Sequence, residues 1–589
     1  MKKILIGILA FIGAIAILGA LVVALLGMVF SMGEAGVPDV VVVELNLENG
    51  LVEYVPDDPF GAAMLSGAVS VRDVVDGLSR AADDDRVVGL VAKVGNGRFG
   101  LAQIQEIRDA VEAFRESGKP AVAWAETFGE VSPGNGSYYL ATAFDRIYLQ
   151  PSGDIGLNGL MYESPFISGA LAKLKINAQM DQRYEYKNAM NMYTETGYTE
   201  PHREAMKALM NSQFDQMVEG IAESRGLAVD EVRALFDQGS FLGEAAMESR
   251  LVDGIAYRDE VFALVEEETG LEPEYLYLPV YLERAGRPGE RGKTIGLVYA
   301  VGAVVRGSSE YEPLSGSFVM GSDSVSAALR SAIDDPRVEA IVMRVDSPGG
   351  SYVASDTIWR ETVRAREAGK PLVISMGNVA ASGGYFVSMS ADAVVAQPGT
   401  ITGSIGVLGG KMNTSAFWER LGITFDEVHT SANTLLYSSS ADYSESEYAL
   451  FQGWLDRVYA DFTQRVAQGR DIPIEGVREI AKGRVWSGRD ALELNLVDAL
   501  GGLNTAVDLA REAAGIPAED PIRIKVFPRK KKMLEAFLDK GPASSHEQVY
   551  QSVGAILNRL RPVVKAAETM GVLEQQDRTL TMPPAELVQ

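Results

Sequence analysis

The sequence contains the same pattern twice, and that repeat limits its fold more than any other feature. LSRAADDDRVVGLVAKV, from Leu78 to Val94, runs parallel to LRSAIDDPRVEAIVMRV, from Leu329 to Val345, so Leu78 and Leu329 stand 251 positions apart. GKPAV at Gly118 and GKPLV at Gly369 keep that spacing. YLQPSGDIGLNG, from Tyr148 to Gly159, lines up with VAQPGTITGSIGVLGG from Val395 at an offset of 247, and LVDG at Leu251 with LVDA at Leu496 at 245. The copies therefore share a length as well as local patterns, and each must fold into the same unit.

Within each copy, apolar runs such as GLVAKV and AIVMRV read as strands, and the stretches before GKP have helical spacing. Strands alternating with amphipathic helices predict an α/β fold with a largely parallel sheet. A helix is expected to open at Thr199-Glu200-Pro201, with Met206, Met210, Phe214, Met217, Val218 and Ile221 on one face. Phe451, Trp454, Leu455, Val458, Tyr459 and Phe462 repeat that stripe in the second copy, as core or subunit contact. The copies are bounded at 40–286 and 292–527, joined by the linker RAGRPGERGK at 284–293. Residues 528–589 form a C-terminal extension in which Val549, Val553, Ile556, Leu557 and Leu560 mark an amphipathic helix that Pro562 ends.

Before the repeat, Ile4 to Phe30 carries no charged residue. As a helix it would run roughly 40 Å, enough to cross a hydrocarbon core of about 30 Å. Residues 1–33 are therefore expected to be an uncleaved membrane anchor. Lys2 and Lys3 precede the span while Glu34 and Asp39 follow it, which puts the N-terminus in the cytoplasm and the body outside. In a bacterium this is the inner membrane, with the body on its periplasmic or outer side.

Charge and composition narrow the chemistry. A net charge of −26 repels phosphate backbones, so nucleic acid is not an expected partner. There is no cysteine, which removes a thiol nucleophile, thiolate metal sites and disulfides together. With only His202, His429 and His546 present, a histidine metal site or a Ser-His-Asp triad has few candidates, and no metal or cofactor is expected.

The second copy holds two glycine-rich turns. RVDSPGG places Gly349 and Gly350 just after a strand, where residues without Cβ let backbone N–H groups turn toward a ligand. Ala380-Ala381-Ser382-Gly383-Gly384-Tyr385 puts a serine on a small-residue turn, with its Oγ exposed and the following N–H free to face a developing oxyanion. A nucleophilic serine needs a base, and between Lys370 and Lys525 this copy has only Lys411 and Lys482 as lysines. The 247 offset pairs Ser382 with Asn135 and Thr434 with Lys187, so each copy keeps one half of a dyad. In the first copy VGNGRFG replaces VDSPGG, with Arg98 where Gly349 stands. One composite site from two copies is expected, with Ser382 as nucleophile and Lys187 as base.

The paired turns resemble the superfamily of the Clp protease proteolytic subunit and crotonase. That resemblance implies a ββα-spiral domain in tandem and assigns the oxyanion N–H groups to Gly349 and Gly383. The whole arrangement, with an N-terminal span, Tyr186-Lys187-Asn188-Ala189 in the first half, and AASGGY and TGSIG in the second, resembles the long-form signal peptide peptidase A (protease IV) family. The likeness implies a Ser-Lys endopeptidase acting on cleaved signal peptides and similar apolar peptides, in a ring-like homo-oligomer such as a tetramer. It also gives Ser404 an orienting role toward the lysine amine. Asn188 departs from the usual serine of that motif. Two other readings share the loops: crotonase-like acyl-CoA chemistry, and a non-catalytic membrane scaffold of protease descent.

For Lys187 to act as a base, its pKa must fall from about 10.4 toward 7–8, at a cost of roughly 3–5 kcal/mol that burial can supply. If the segment is extended, Glu185 shares a face with Lys187 and opposes that fall.

Overall fold

The computed structural model describes residues 36–48, 50–55, 65, 68–95, 97, 99–312, 317–528 and 580–581. Among these, no helix is long and apolar enough to cross a membrane. The anchor expected over residues 4–30, the helix expected near 549–560, and Arg98 all lie outside the described residues.

Each copy builds its own sheet from runs of buried aliphatic residues. In the first, six parallel strands lie in the order Gly254–Ile255, Arg146–Leu149, Ala121–Ala125, Val87–Lys93, Val41–Asn46 and Glu274–Tyr277. The second runs Val485–Ser487, Ile401–Gly403, Leu372–Ala381, Val338–Ser347, Lys293–Val301 and Ile522–Phe527, with Ala393–Ala396 also against Leu372–Ala381. Its strands are parallel except where Val485–Ser487 meets Ile401–Gly403. Such continuous apolar strands form only where helices cover both faces of a sheet. Val43, Leu90, Ala123 and Ile147 sit in one core, and Val298, Ile341, Ile374 and Val394 in the other, all fully buried.

The copies differ where the chemistry is expected. Ala121–Ala125 has five residues, but its counterpart Leu372–Ala381 has ten and runs on to Ser382. That extension captures Ile401–Gly403 into the main sheet, whereas Asp154–Leu157 in the first copy pairs with Gly239–Leu242 and meets the chain beyond Ala121–Ala125 through an isolated bridge from Ile155 to Phe128.

A 26-residue helix follows in each copy, Glu200–Arg225 and Glu445–Arg470, N-capped by Thr199 and Ser444. Met217, Val218 and Ile221 of the first stripe, and Leu455, Val458 and Phe462 of the second, are fully buried. The copies are locked together by a buried ion triad. Arg344 donates to Glu53 at 2.9 Å, to Glu106 at 2.8 Å and to the Ser375 hydroxyl at 2.9 Å. A second tie is an antiparallel ribbon in which Asn177–Arg183 of the first copy pairs with Val407–Asn413 of the second.

Candidate active site

Ser382 follows the long strand and caps the helix Gly383–Ser388. Its φ of 55° and ψ of −113° form a positive-φ conformation that costs a non-glycine residue energy and clusters at functional sites. The strain is held in place by its own N–H, which donates to the Gly403 carbonyl at 2.8 Å, and by its carbonyl, which accepts the N–H of Phe386 at 2.8 Å.

The antiparallel ribbon carries Lys187 to this point from the other copy. After Arg183 the chain turns, so Lys187 lies on a turn rather than on a strand, and Glu185 points into solvent. The extended conformation considered from sequence is therefore not adopted, and Glu185 does not hold the lysine charged. Lys187 Nζ sits 2.7 Å from Ser382 Oγ, 2.8 Å from the Ser404 carbonyl oxygen and 2.9 Å from Ser404 Oγ. Gly403 and Ser404 have φ of 77° and 51°, and this double left-handed turn aims both Ser404 oxygens at the amine. Lys187, Ser382 and Ser404 are all 0% exposed. Burial without a carboxylate partner drives the Lys187 pKa well below that of an ordinary lysine.

The two glycine loops adjoin the serine. Gly349 has φ of 99°, open chiefly to glycine, and a methyl on Gly350 would lie 2.1 Å from the Val304 carbonyl oxygen. A methyl on Gly383 would come within 3.1 Å of Gly349 Cα and of Gly350 N, so the two loops touch. As the first residue of its helix, Gly383 presents an N–H that the helix leaves unpaired. The Gly349 N–H donates to Ser347 Oγ at 3.2 Å, a long bond that a stronger acceptor could replace. Sequence reasoning missed Ser347, which no motif distinguishes from a turn serine. Leu580–Thr581, from the C-terminal extension, pairs antiparallel with Gly349–Gly350.

The counterparts in the other half have other partners. Asn135 accepts from the Asn158 N–H at 3.0 Å and donates to the Gly159 carbonyl at 2.8 Å, plugging the first-copy turn. Thr434 is exposed and bonds locally to Ser431. Lys411 donates to the Leu435 carbonyl and Lys482 pairs with Glu479, so neither competes for Ser382. His202 contacts Asn191 and His429 contacts Ser431, while His546 lies outside the described residues. Among the described residues no group of three His, Cys, Asp or Glu could hold a metal. The side chain of Asn188 is buried and its Oδ1 has no hydrogen-bond partner.

Comparison with known proteins finds relatives over most of the chain. The model of peptidase family S49 matches residues 113–272 and 364–517, one segment in each copy. The chain is 30% identical over 514 residues to Protease 4 of Salmonella typhi, covering 85% of this chain and 80% of that one. It is 30% identical to Protease 4 of Haemophilus influenzae over 470 residues, covering 75% and 73% of the two chains. It is 29% identical to the chloroplastic serine protease SPPA of Arabidopsis thaliana over 506 residues, covering 84% and 73%.

Proposed function

The chain belongs to peptidase family S49, as a serine endopeptidase of the signal peptide peptidase A type, and on that premise we propose that Ser382 and Lys187 form its catalytic dyad. The observation that carries this reading is the 2.7 Å approach of a fully buried lysine amine to a fully buried serine hydroxyl. Lys187 starts neutral and takes the Ser382 proton as Oγ attacks the peptide carbonyl. The N–H groups of Gly349 and Gly383 receive the negative charge on the carbonyl oxygen. The Lys187 ammonium then protonates the departing amine, which breaks the peptide bond and leaves an ester on Ser382. Water, deprotonated by the same amine, releases the acyl group. Pairing along Gly349–Gly350 is how an extended peptide would lie, each main-chain bond adding affinity without sequence preference.

Each copy is a Clp protease/crotonase-like spiral. Residues 4–30 anchor the protein in the bacterial inner membrane with its body on the outer side, where remnants of signal peptides and other apolar peptides are the substrates.

A homo-oligomer, a tetramer by the family likeness, is supported by two unpaired segments. Asn177–Arg183 pairs with Val407–Asn413 within the chain, and the 247 offset maps these strands onto residues 424–430 and 160–166. Neither segment forms a strand, and residues 424–430 are all exposed, Phe425 and Val428 included. Head-to-tail packing of a second chain would pair them and could close a ring.

The test is to trap the intermediate. Incubation with a slowly hydrolysed peptide ester should add one acyl mass to the wild type and none to Ser382→Ala. An adduct of equal yield on both would refute the assignment.

A further inference from the structure

The turn between the helix Ile474–Ile480 and the strand Val485–Ser487 touches both halves of the site. The Lys482 carbonyl accepts the N–H of Tyr186 at 3.2 Å, the Gly483 N–H donates to the Ile405 carbonyl at 2.8 Å, and the Arg484 carbonyl accepts the N–H of Ser404 at 2.7 Å. Three consecutive residues thus bind the neighbour of Lys187 to Ser404 and Ile405 of the other copy. Lys482 and Gly483 have φ of 54° and 82°, and this double left-handed turn drives the backbone into the gap. A methyl on Gly483 would sit 2.5 Å from Lys187 Cβ and 2.6 Å from its Cα and N. Gly406 is crossed almost as closely, since a methyl there would lie 2.9 Å from Gly483 Cα. On the outer side, the Tyr186 hydroxyl and Arg484 both reach Glu204, at 2.7 and 2.8 Å, with the Arg484 guanidinium over the Tyr186 ring.

We infer that Gly483 is a positioning residue for the reaction: its bare backbone lies against that of Lys187 and sets how far the amine reaches toward Ser382. The inference rests on the Ser382–Lys187 dyad. A lysine side chain has four rotatable bonds, so its reach is fixed only if its Cα is fixed. The ribbon from Asn177 holds one side of that Cα, and Gly483 is the stop on the other. Any Cβ at 483 moves either the turn, which carries Ser404 with it, or Lys187 itself. Both movements open the 2.7 Å contact.

The test uses the full-length protein and one peptide substrate, comparing wild type, Ser382→Ala, Gly483→Ala, Gly483→Asn, Gly406→Ala and Gly453→Ala, with kcat scaled to the folded fraction from near-ultraviolet circular dichroism. Asparagine tolerates positive φ better than alanine, so Gly483→Asn relieves backbone strain but keeps the collision with Lys187. Both substitutions at 483 should lower kcat on the order of 100-fold, with KM changed by about twofold or less. The acidic limb of the pH profile should move to higher pH, because a displaced amine is less buried and holds its proton more tightly. Gly406→Ala, which presses the same crossing from the other side, should move the limb in the same direction. Gly453→Ala, on an open helix surface, should leave both unchanged. Wild-type kcat and an unmoved limb in Gly483→Ala would overturn the inference, and so would recovery of wild-type kcat in Gly483→Asn. If wild type hydrolyses no faster than Ser382→Ala, the dyad itself fails and Gly483 has nothing to position.

Discussion

Ser404 meets the amine of Lys187 with two oxygens, its carbonyl at 2.8 Å and its hydroxyl at 2.9 Å. A protonated amine has three donors and no lone pair, whereas a neutral one has two donors and one lone pair. With both donors directed at Ser404, the lone pair faces the third neighbour, the Ser382 hydroxyl. The geometry suits an amine about to accept a proton. Ser404→Ala removes one of the two acceptors and lets the amine swing, so kcat should fall by about tenfold with little change in KM in steady-state assays.

The buried lysine also affects stability. Its folded pKa lies below its unfolded one, so the unfolded chain binds the extra proton across the interval between them. In that window the group costs stability, and the cost shrinks by about 1.4 kcal/mol per pH unit as pH rises toward the unfolded value near 10.4. Lys187→Met keeps the bulk and removes the titration. It should melt above wild type at pH 7, and the gap should narrow steadily toward pH 10 in a thermal unfolding series.

Much of this was legible in the sequence, for reasons that particular residues make plain. The repeat pointed to Lys187 because one copy carries a lysine and the other a serine at paired positions, and the small residues around Ser382 and Gly349 advertised tight backbone turns. What stayed hidden was contact between remote segments. Gly483 lies in KGRVWSG, which matches no motif, and it matters only because the ribbon Asn177–Arg183 brings Lys187 beside it. Whether Glu185 shares a face with Lys187 depends on the segment being extended, which spacing alone does not decide, and the chain turns immediately after Arg183.

Arg344 sits three residues before Ser347 on the strand that leads to Gly349, and its partners Glu53 and Glu106 come from the first copy. Arg344→Met would leave two carboxylates buried without their cation. Removing one member of such a set typically costs about 3–5 kcal/mol, so urea unfolding should show a loss of that order, larger than for any exposed arginine pair.

Leu580–Thr581 occupies the strand position beside Gly349–Gly350 that an extended peptide would need. A chain ending at residue 578 should bind peptides with a lower KM at unchanged kcat. Equal KM in the shortened and full-length proteins would show that the pairing does not compete with substrate.

The most direct measurement of the central claim is the hydrolysis rate of one apolar peptide by wild type, Ser382→Ala and Lys187→Ala under identical conditions, with folding checked by circular dichroism. Because the two side chains act as one unit, each substitution should lower kcat by a similar factor, on the order of 10⁴ or more. Wild-type cleavage by folded Lys187→Ala would contradict the account, since Lys187 is the lysine that bonds to Ser382, while Lys411 and Lys482 are held by Leu435 and Glu479.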